Sequence, residues 1–386
     1  MTTSLRTIFL FLFTASLFSM MGCTSEEAQT EVMVNSTDSE ATATESTDTT
    51  EPKEFELGDL IPDFTPPTFE QVNGDTEWLD KPVVDVYQLM TDRKENEVAM
   101  LTVAEALALR NNTAEDNDKI VSAMGTLAVD GEVNYDAQWV RHTAADIRST
   151  NPLMASSSAE FDVSGLLNLS LFTFDWNFTP YGNKGAISSW RTSSNGLMDI
   201  VTIRSDLTWS DGTKLTAYDV EYSYQVIMSS AVPIPAVRSG TDQLKGVKAY
   251  DEHTLIYFHA ESLATNIWNM LFPIIPKHKY ENTISDDPTL ASSTAHVELD
   301  ENPVTAGAYT IQKRERNQEI VLKRRDSYYT FKGEQVRQKP HFETVRFKII
   351  EDPNTALLSM KKGELEEMML TPKQWKSQTD GDEFYE

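Results

Sequence analysis

The segment LTWSDGTKLTAYDV, residues 207–220, carries the clearest structural signals in the chain. Its Ser210-Asp211-Gly212 run is typical of a turn, because Asp and Gly tolerate the backbone angles that tight turns require. Thr216 and Asp219 have the spacing of a capping box, so a helix is expected to begin directly after Thr216. Upstream, the β-branched run Ile200–Ile203 predicts a short strand. The segment therefore predicts a strand, a turn and a helix in succession.

The predicted helix is amphipathic and is followed by further elements. The apolar residues of one helical face are Val220, Tyr224, Ile227 and Met228. Such a face is expected to pack on a sheet. The later elements are a strand at Thr254–Phe258, a hairpin of Gly307–Gln312 with Glu319–Lys323, a strand at Phe342–Ile350, and a helix that Asp352-Pro353 begins and Gly363 ends. This order predicts a mixed α/β fold without the regular alternation of a doubly wound domain.

Five segments, in this order along the chain, resemble motifs of the family 5 extracellular solute-binding proteins, the dipeptide and oligopeptide receptors of ABC importers. They are Ala145–Leu153 (the family's opening strand, ending in LNPL), Leu207–Val220 (WSDGxPLTAxDV), Phe272–Tyr280 (PIxPKHxY), Thr305–Tyr309 (GTGPY) and Glu351–Leu365 (xDxxTxxxALxxGEID). The resemblance covers residues 131–386. It implies an α/β, two-lobed, periplasmic-binding-protein-like (type II) fold with mixed sheets.

The resemblance also implies that only the N-terminal portion of that domain is in this sequence. Family members continue through most of a second lobe, which is largely missing from this chain, and their acidic partner for a peptide amino terminus lies there. We therefore expect a fragment of a longer reading frame. The alternative is a truncated product.

Two ligand-binding stretches carry over from the family by position. The first is Asn168, Leu169, Ser170 and Leu171, which occupy the place of the family's LFEGL. Here Leu169 stands for Glu and Ser170 for Gly, which weakens the expectation of side-chain recognition. The second is Met369, Leu370 and Thr371, which match the strand that lines the cleft where the chain crosses between lobes.

The function that the resemblance implies is capture of a short peptide in a cleft between lobes and its delivery to an ABC permease and ATPase complex. The protein is expected to be a monomer in the periplasm or cell envelope and to bind without chemistry. Two alternatives stay open: a receptor of the same fold for an oligosaccharide, a nickel chelate or an opine, and a non-transporting surface lipoprotein that serves interaction or sensing.

The N-terminal residues read as an export signal and a tether. Residues 1–22 have a short basic start and an apolar run that is too short for a permanent span, and they end at Gly22-Cys23. This resembles a bacterial lipoprotein signal with lipidation of Cys23; the alternative is an ordinary signal peptide with an incidental cysteine. Residues 23–56 are acidic and rich in Ser and Thr, so we expect a disordered tether. Residues 57–130 are an extension of unclear fold, with short helices predicted at Leu101–Leu109 and Asp118–Leu127.

Composition excludes several other classes of function. Sixty acidic residues against 33 basic ones give a formal charge of −27, which disfavours nucleic-acid binding. One cysteine excludes a disulfide scaffold. No nucleophile elbow, P-loop, Gly-rich dinucleotide turn or H-E-x-x-H helix occurs, so no catalytic residue, resident metal or cofactor is expected.

The remaining candidates have simpler interpretations. His253 and His259 could share a strand face and bind a metal, but ordinary strand-end histidines are favoured. Glu366-Glu367 is interpreted as a pair of solvated charges, and Lys323-Arg324-Arg325 as a charge cluster at the end of a hairpin. Four tryptophans are assigned to the core rather than to a ligand cleft: Trp176, Trp190, Trp209 and Trp268.

Overall fold

The computed structural model describes residues 55–85, 88–89, 133–175 and 177–378. Its strands are β1 Trp78–Asp80, β2 Val83–Val84, β3 Gln138–Thr143, β4 Phe172–Phe174, β5 Pro180–Asn183, β6 Ile187–Ser193, β7 Met198–Ile203, β8 Leu244–Ala249, β9 Thr254–His259, β10 Tyr309–Glu315, β11 Glu319–Arg324, β12 Thr330–Phe331, β13 Glu334–Gln335 and β14 Thr344–Ile349. Its helices are α1 Phe69–Asp75, α2 Ser158–Leu167, α3 Ala217–Ile227, α4 Pro235–Arg238, α5 Asn266–Asn269, α6 Lys277–Tyr280, α7 Thr294–Glu301, α8 Asp326–Tyr329, α9 Pro353–Lys361 and α10 Pro372–Ser377, with a 3₁₀ turn at Pro152–Met154.

The helix predicted after Thr216 is confirmed. Thr216 and Asp219 form a capping box at the start of α3, and Asp219 also accepts a hydrogen bond from the backbone N–H of Lys277 (3.0 Å). Trp209, in the turn before the helix, is fully buried. The turn and helix are therefore held both by local capping and by the core, as the amphipathic pattern requires.

A five-stranded antiparallel sheet, in the order β1-β6-β7-β9-β8, forms the larger half of the described structure. One face of β7 and β9 carries Val201, Leu255 and Tyr257 into the main core. The opposite face carries Ile200, Ile256 and Phe258, which are equally buried. Both faces are covered, and this explains why these strands read as nearly continuous apolar runs.

The cover on the second face is supplied by residues 55–85, here called the N-terminal strap. Its Phe64 ring lies 5.0 Å from that of Phe258, and Val72 of α1 is buried against the same cluster. Hydrogen bonds fix the strap to the domain, from Leu60 N to Met228 O (2.9 Å) and from Tyr250 Oη to Pro67 O (2.7 Å). The strap is thus an integral layer of the fold. The helices expected at 101–109 and 118–127 lie outside the described residues.

A four-stranded sheet, in the order β10-β11-β14-β3, lies beside the first. β3 is parallel to β14, and the other pairs are antiparallel. Leu322, Val345 and Phe347 face the apolar side of α2 and close a second core. The opposite face carries charged residues, as the alternating strand TVRFKI predicts.

The opening strand is displaced from its predicted place. It was expected within Ala145–Leu153, but β3 ends at Thr143 and that segment is irregular up to the 3₁₀ turn. The backbone N–H of Thr150 binds the Asp300 carboxylate at 2.7 Å, and Asn151 caps the turn through Leu153 N. These side-chain bonds offer the backbone an alternative to a strand ladder.

Candidate functional site

The first predicted binding stretch, Asn168–Leu171, begins where α2 ends. Its position is set by Gly307, whose backbone N–H binds Leu167 O at 2.8 Å. A Cβ at position 307 would lie 2.5 Å from the carbonyl carbon of Leu167, so only glycine allows this approach. On the other side, Asn183 of β5 donates from its backbone N–H to Leu171 O (2.9 Å) and from its side chain to Ser170 O (2.8 Å).

The side chains of this stretch point mostly inward. Leu169 and Leu171 are buried in the main core. The Asn168 amide turns back to Ser164 of α2, at 3.0 Å from its carbonyl oxygen. Ser170 is exposed, with its hydroxyl bonded to Phe172 O. Of the four predicted residues, only Ser170 offers a largely exposed surface, so recognition here would rest mainly on the backbone.

The second stretch belongs to Glu364–Thr371, here called the crossover segment. Gly363, at φ +73°, ends α9, and the chain then runs beside β3 as far as Glu367. Met369 is 88% exposed, whereas Leu370 is half-buried. The side chain of Thr371 already has a structural role, because it caps α10 by accepting a hydrogen bond from the backbone N–H of Gln374.

The two stretches lie next to different parts of the four-stranded sheet, and the structure does not join them directly. Asn168–Leu171 follows α2 on its inner face, and the crossover segment lies at its β3 edge. No hydrogen bond between described residues links one stretch to the other. Among those residues, the backbone groups of Leu169, Met369 and Leu370 have no hydrogen-bond partner. Backbone whose N–H and C=O groups are unpaired can pair with an added, extended chain.

A small enclosed cavity lies next to the first stretch. Its volume is about 20 Å³, and its lining includes Asn151, Asn168, Pro276, Tyr280 and Thr305. That volume is enough for about one water molecule and far too small for a peptide. This cavity is therefore not a peptide-binding site.

Arg325 is a positioning residue that the sequence interpretation missed. It was assigned to a charge cluster at a hairpin end, but its side chain is buried and donates to the carbonyl oxygens of Thr305 (2.7 Å), Gly307 (3.1 Å) and Thr208 (2.9 Å). Burial lowers the pKa of Arg325 to about 10, and the charge of nearby Arg337 acts in the same direction. Arg325 thus ties the turn that contains Gly307 to the turn before α3.

Glu366 and Glu367 are solvent-accessible, as the sequence suggested, but both also hold specific hydrogen bonds. Glu366 accepts a hydrogen bond from Val140 N (2.7 Å). Glu367 accepts two from the guanidinium of Arg141, from Nε (3.0 Å) and Nη2 (2.9 Å). Both carboxylates attach the crossover segment to β3. The sequence carried no signal for this, because the partners are 226 residues apart.

The two candidate histidines lie at opposite ends of β9. His253 directly precedes the strand, where its backbone N–H binds the Asp251 carboxylate (2.7 Å), and His259 ends it, buried with Nε2 2.7 Å from the Asp199 carboxylate. Among residues 55–85, 88–89, 133–175 and 177–378, no group of three or more potential metal-binding side chains is found.

The tryptophan assignments hold for two of the four residues. Trp190 and Trp209 are core. Trp268 is 37% exposed and stacks on Phe174 with ring centroids 4.6 Å apart, so its assignment to the core was wrong. Trp176 lies outside the described residues.

Comparison with known proteins defines the class. The profile of the bacterial extracellular solute-binding proteins, family 5 Middle, matches residues 183–385, which is more than half of the chain. The chain therefore belongs to this family, whose members are periplasmic or extracellular solute-binding proteins and not enzymes. Within the described part of the chain, no helix has the length and apolar character needed to cross a membrane.

Among curated proteins, the chain is similar to two oligopeptide-binding proteins. It is 25% identical over 225 residues to AppA of Bacillus subtilis, covering 56% of this chain and 37% of AppA. It is 28% identical over 208 residues to periplasmic OppA of Escherichia coli, covering 49% of this chain and 36% of OppA. The chain thus spans little more than a third of the length of these relatives.

Solved structures support the fold class. AppA of Bacillus subtilis in complex with a nonapeptide matches with a TM-score of 0.51 and 22% identity, over 61% of this chain and 44% of AppA. Haemophilus influenzae OppA in complex with the peptide RPPGFSPFR matches with a TM-score of 0.51 and 20% identity, over 64% of this chain and 48% of OppA. The periplasmic-binding-protein-like fold with mixed sheets is therefore confirmed.

Proposed function

We propose that this chain is part of the receptor of an ABC importer and that it binds short peptides through their main chain. The observation that carries the proposal is the unpaired backbone of Leu169, Met369 and Leu370, at the two places where the family motifs predict ligand contact. A peptide laid along such backbone pairs in the manner of an added β-strand.

The inward side chains of the first stretch favour broad specificity. Leu169 replaces an acidic residue of the family motif, and its side chain is part of the core. This stretch then has no charged group with which to select a ligand side chain. Recognition through N–H and C=O groups is indifferent to the peptide's sequence.

In the full receptor, ligand contacts on both lobes would favour the closed form, because a ligand shifts a conformational equilibrium only by its differential affinity for the two states. The closed form would then deliver the peptide to a permease and ATPase complex. We further propose that the receptor is monomeric and is held at the cell envelope by a lipid on Cys23.

The test compares peptides that differ only in their main chain. The full product of the source gene, with Cys23→Ser for solubility, is titrated with an alanine-rich pentapeptide, a scrambled mixed pentapeptide and N-methylated versions of both. We expect the two parent peptides to bind within about tenfold of each other. Each N-methyl group placed at a contact should weaken binding by up to about tenfold, since a hydrogen bond contributes about 0.5–1.5 kcal/mol.

Native mass spectrometry of the same protein provides the complementary readout. A heterogeneous adduct of peptide mass, released on unfolding, would support the proposal. A uniform adduct of another chemistry, such as an opine or an oligosaccharide, would replace peptides by that solute. Binding that is unaffected by N-methylation would refute recognition through the main chain.

The lipid anchor has a separate test. The wild-type protein should partition with membranes and carry a mass increment on Cys23, whereas Cys23→Ser should be released into the soluble fraction. An unmodified mature protein cleaved at another position would overturn the anchor without affecting the peptide proposal.

A further inference from the structure

Beyond the buried Leu365, the crossover segment is attached to the domain by a short and highly polar contact. Its ladder with β3 consists of Glu366 N to Val140 O (2.9 Å), Glu367 N to Val140 O (3.3 Å) and His142 N to Glu367 O (3.0 Å). After Glu367 no further backbone pair follows until α10 begins. A ladder this short has little strength of its own, so the side chains beside it decide how firmly the segment is held.

Arg141 is the most buried of these side chains. Its guanidinium carbon lies 4.5 Å from the centre of the Trp139 ring and 5.2 Å from that of Phe347. The Arg141 side chain is only 7% exposed, whereas that of Glu367 is 41% exposed. The cation is thus held against the second core, whereas the carboxylate lies closer to the surface.

The bond between them is directional. Nε and Nη2 of Arg141 meet the two carboxylate oxygens of Glu367 in a parallel, bidentate arrangement. Such pairs determine orientation as well as distance, which a lysine cannot do. The bond therefore fixes both the place and the direction in which the chain leaves β3 towards Met369.

A second carboxylate faces the same cation. Asp162 of α2 has its pKa raised by burial, while the positive charge of Arg141 acts to lower it and Glu367 acts to raise it. Nη1 of Arg141 is buried and has no hydrogen-bond partner among the described residues. Asp162 thus contributes to the field at Arg141 without bonding it, and Glu367 receives both of the donors that are used.

We infer that Arg141 is a positioning residue for ligand binding: through its bidentate bond to Glu367 it sets the path of residues 368–371 without touching the ligand. This inference rests on the proposed function, since it assigns the segment a role in binding. It goes beyond that proposal because it places control of the site in a buried residue of the opening strand, more than 200 positions away in sequence.

The first experiment does not depend on any ligand. Hydrogen–deuterium exchange is measured over residues 364–371 in the full source-gene product and in its Glu367→Gln and Arg141→Lys variants. We expect exchange of the Glu366 and Glu367 amides to rise about tenfold in both, because the charge-assisted bidentate pair is lost. Exchange in β9 should not change.

A matched control separates this effect from a general effect of replacing an arginine on the same sheet. Arg346 pairs with Glu319 at 3.2 Å on the opposite face of the same sheet, and among the described residues no hydrogen bond or ion pair joins it to the crossover segment. Arg346→Lys should leave exchange at residues 364–371 unchanged. Unchanged exchange in Glu367→Gln, or an equal rise in Arg346→Lys, would overturn the inference.

The second experiment measures binding of the alanine-rich pentapeptide. We expect Kd to rise about tenfold in Glu367→Gln while the midpoint of thermal unfolding changes little, which a purely structural role would not produce. Faster exchange with an unchanged Kd would refute the positioning role. If the wild-type protein binds no peptide, the proposed function fails, and the exchange data still decide whether Arg141 sets the path of the segment.

Discussion

The two large sheets differ in how completely they are covered. The five-stranded sheet is buried on both faces, by the main core on one side and by the N-terminal strap on the other. The four-stranded sheet packs on α2 with one face only, and its other face carries ion pairs such as Lys313–Glu319 and Arg346–Glu319. The crossover segment is attached to the β3 edge of this second sheet, whereas Asn168–Leu171 follows its α2 helix and sends Leu169 and Leu171 into the main core.

This difference separates scaffold from candidate site. The motif at residues 207–220, which is the easiest to recognise, lies in the fully covered half and contributes capping groups and core side chains. The stretches assigned to binding have weak motifs and unpaired backbone. Binding through the main chain places few demands on side-chain identity, so it leaves only a weak sequence motif. A scaffold depends on the identity of its capping and core side chains, so its motif is easy to recognise.

The largest loss of stability is expected from substitution of Trp209, which is buried in the main core beside the five-stranded sheet. Trp209→Ala should lower the free energy of unfolding by about 3–5 kcal/mol, the usual cost of removing a large buried aromatic side chain. Trp268→Ala is the matched control, because that ring is 37% exposed and has one stacking partner. Its loss should be about 1 kcal/mol. Urea denaturation measures both, and equal losses would contradict the assignment of Trp209 to the core.

The next largest loss of stability is expected at Gly307, whose backbone contacts Leu167 at the end of α2. Gly307→Ala would place a methyl group within 2.7 Å of backbone atoms of Leu166, Leu167 and Asn168. We expect a loss of about 3 kcal/mol from overpacking, together with faster hydrogen exchange in residues 168–171. Gly333→Ala has a positive φ (+84°) but no neighbour within 4 Å, so it should cost about 1 kcal/mol and leave those amides unchanged.

A smaller, pH-dependent effect is expected at Asp287. Burial opposes its ionisation, but hydrogen bonds from Thr289, Ser293 and His296 outweigh this and hold its pKa well below the usual range. The folded state then binds fewer protons, so this stabilisation is complete above the unfolded-state pKa of about 3.9 and is lost as the pH falls below it.

Asp287→Asn should therefore cost about 2 kcal/mol at pH 7, and the difference from wild type should shrink as the pH falls from about 4 towards about 2. Asp286→Asn, at an exposed neighbouring position, serves as the control and should change stability little. Denaturation curves across this pH range measure both. A difference for Asp287→Asn that stays constant with pH would show that its charge is not responsible.

The smallest effect is expected within the crossover segment. Met369 is 88% exposed, so Met369→Ser should change the free energy of unfolding by no more than about 0.5 kcal/mol. Leu365, four residues earlier, is buried, and Leu365→Ala should cost about 2–4 kcal/mol. If Met369→Ser lowered the free energy of unfolding as much as Leu365→Ala, the end of the segment around Met369 would be part of the core and not an open surface.

Local signals predicted the elements well. The capping box at Thr216 and the stop at Gly363 were both correct, since each acts over a few residues. The strand expected at Ala145–Leu153 was misplaced because Asp300, about 150 residues away, binds the backbone of Thr150. Trp268 and Arg325 were misjudged for the same reason: exposure depends on neighbours that no local pattern contains.

The sequence by itself determined the family, the order of strands and helices and the position of the α3 helix cap, because hydrophobic period, turn residues and caps are encoded within short windows. Tertiary structure alone decided that the strap covers the second face of the large sheet, that Arg325 ties two distant turns together, and that Arg141 holds the crossover segment. These contacts join residues far apart in the chain, and a buried charge or an exposed ring is defined only by what packs around it.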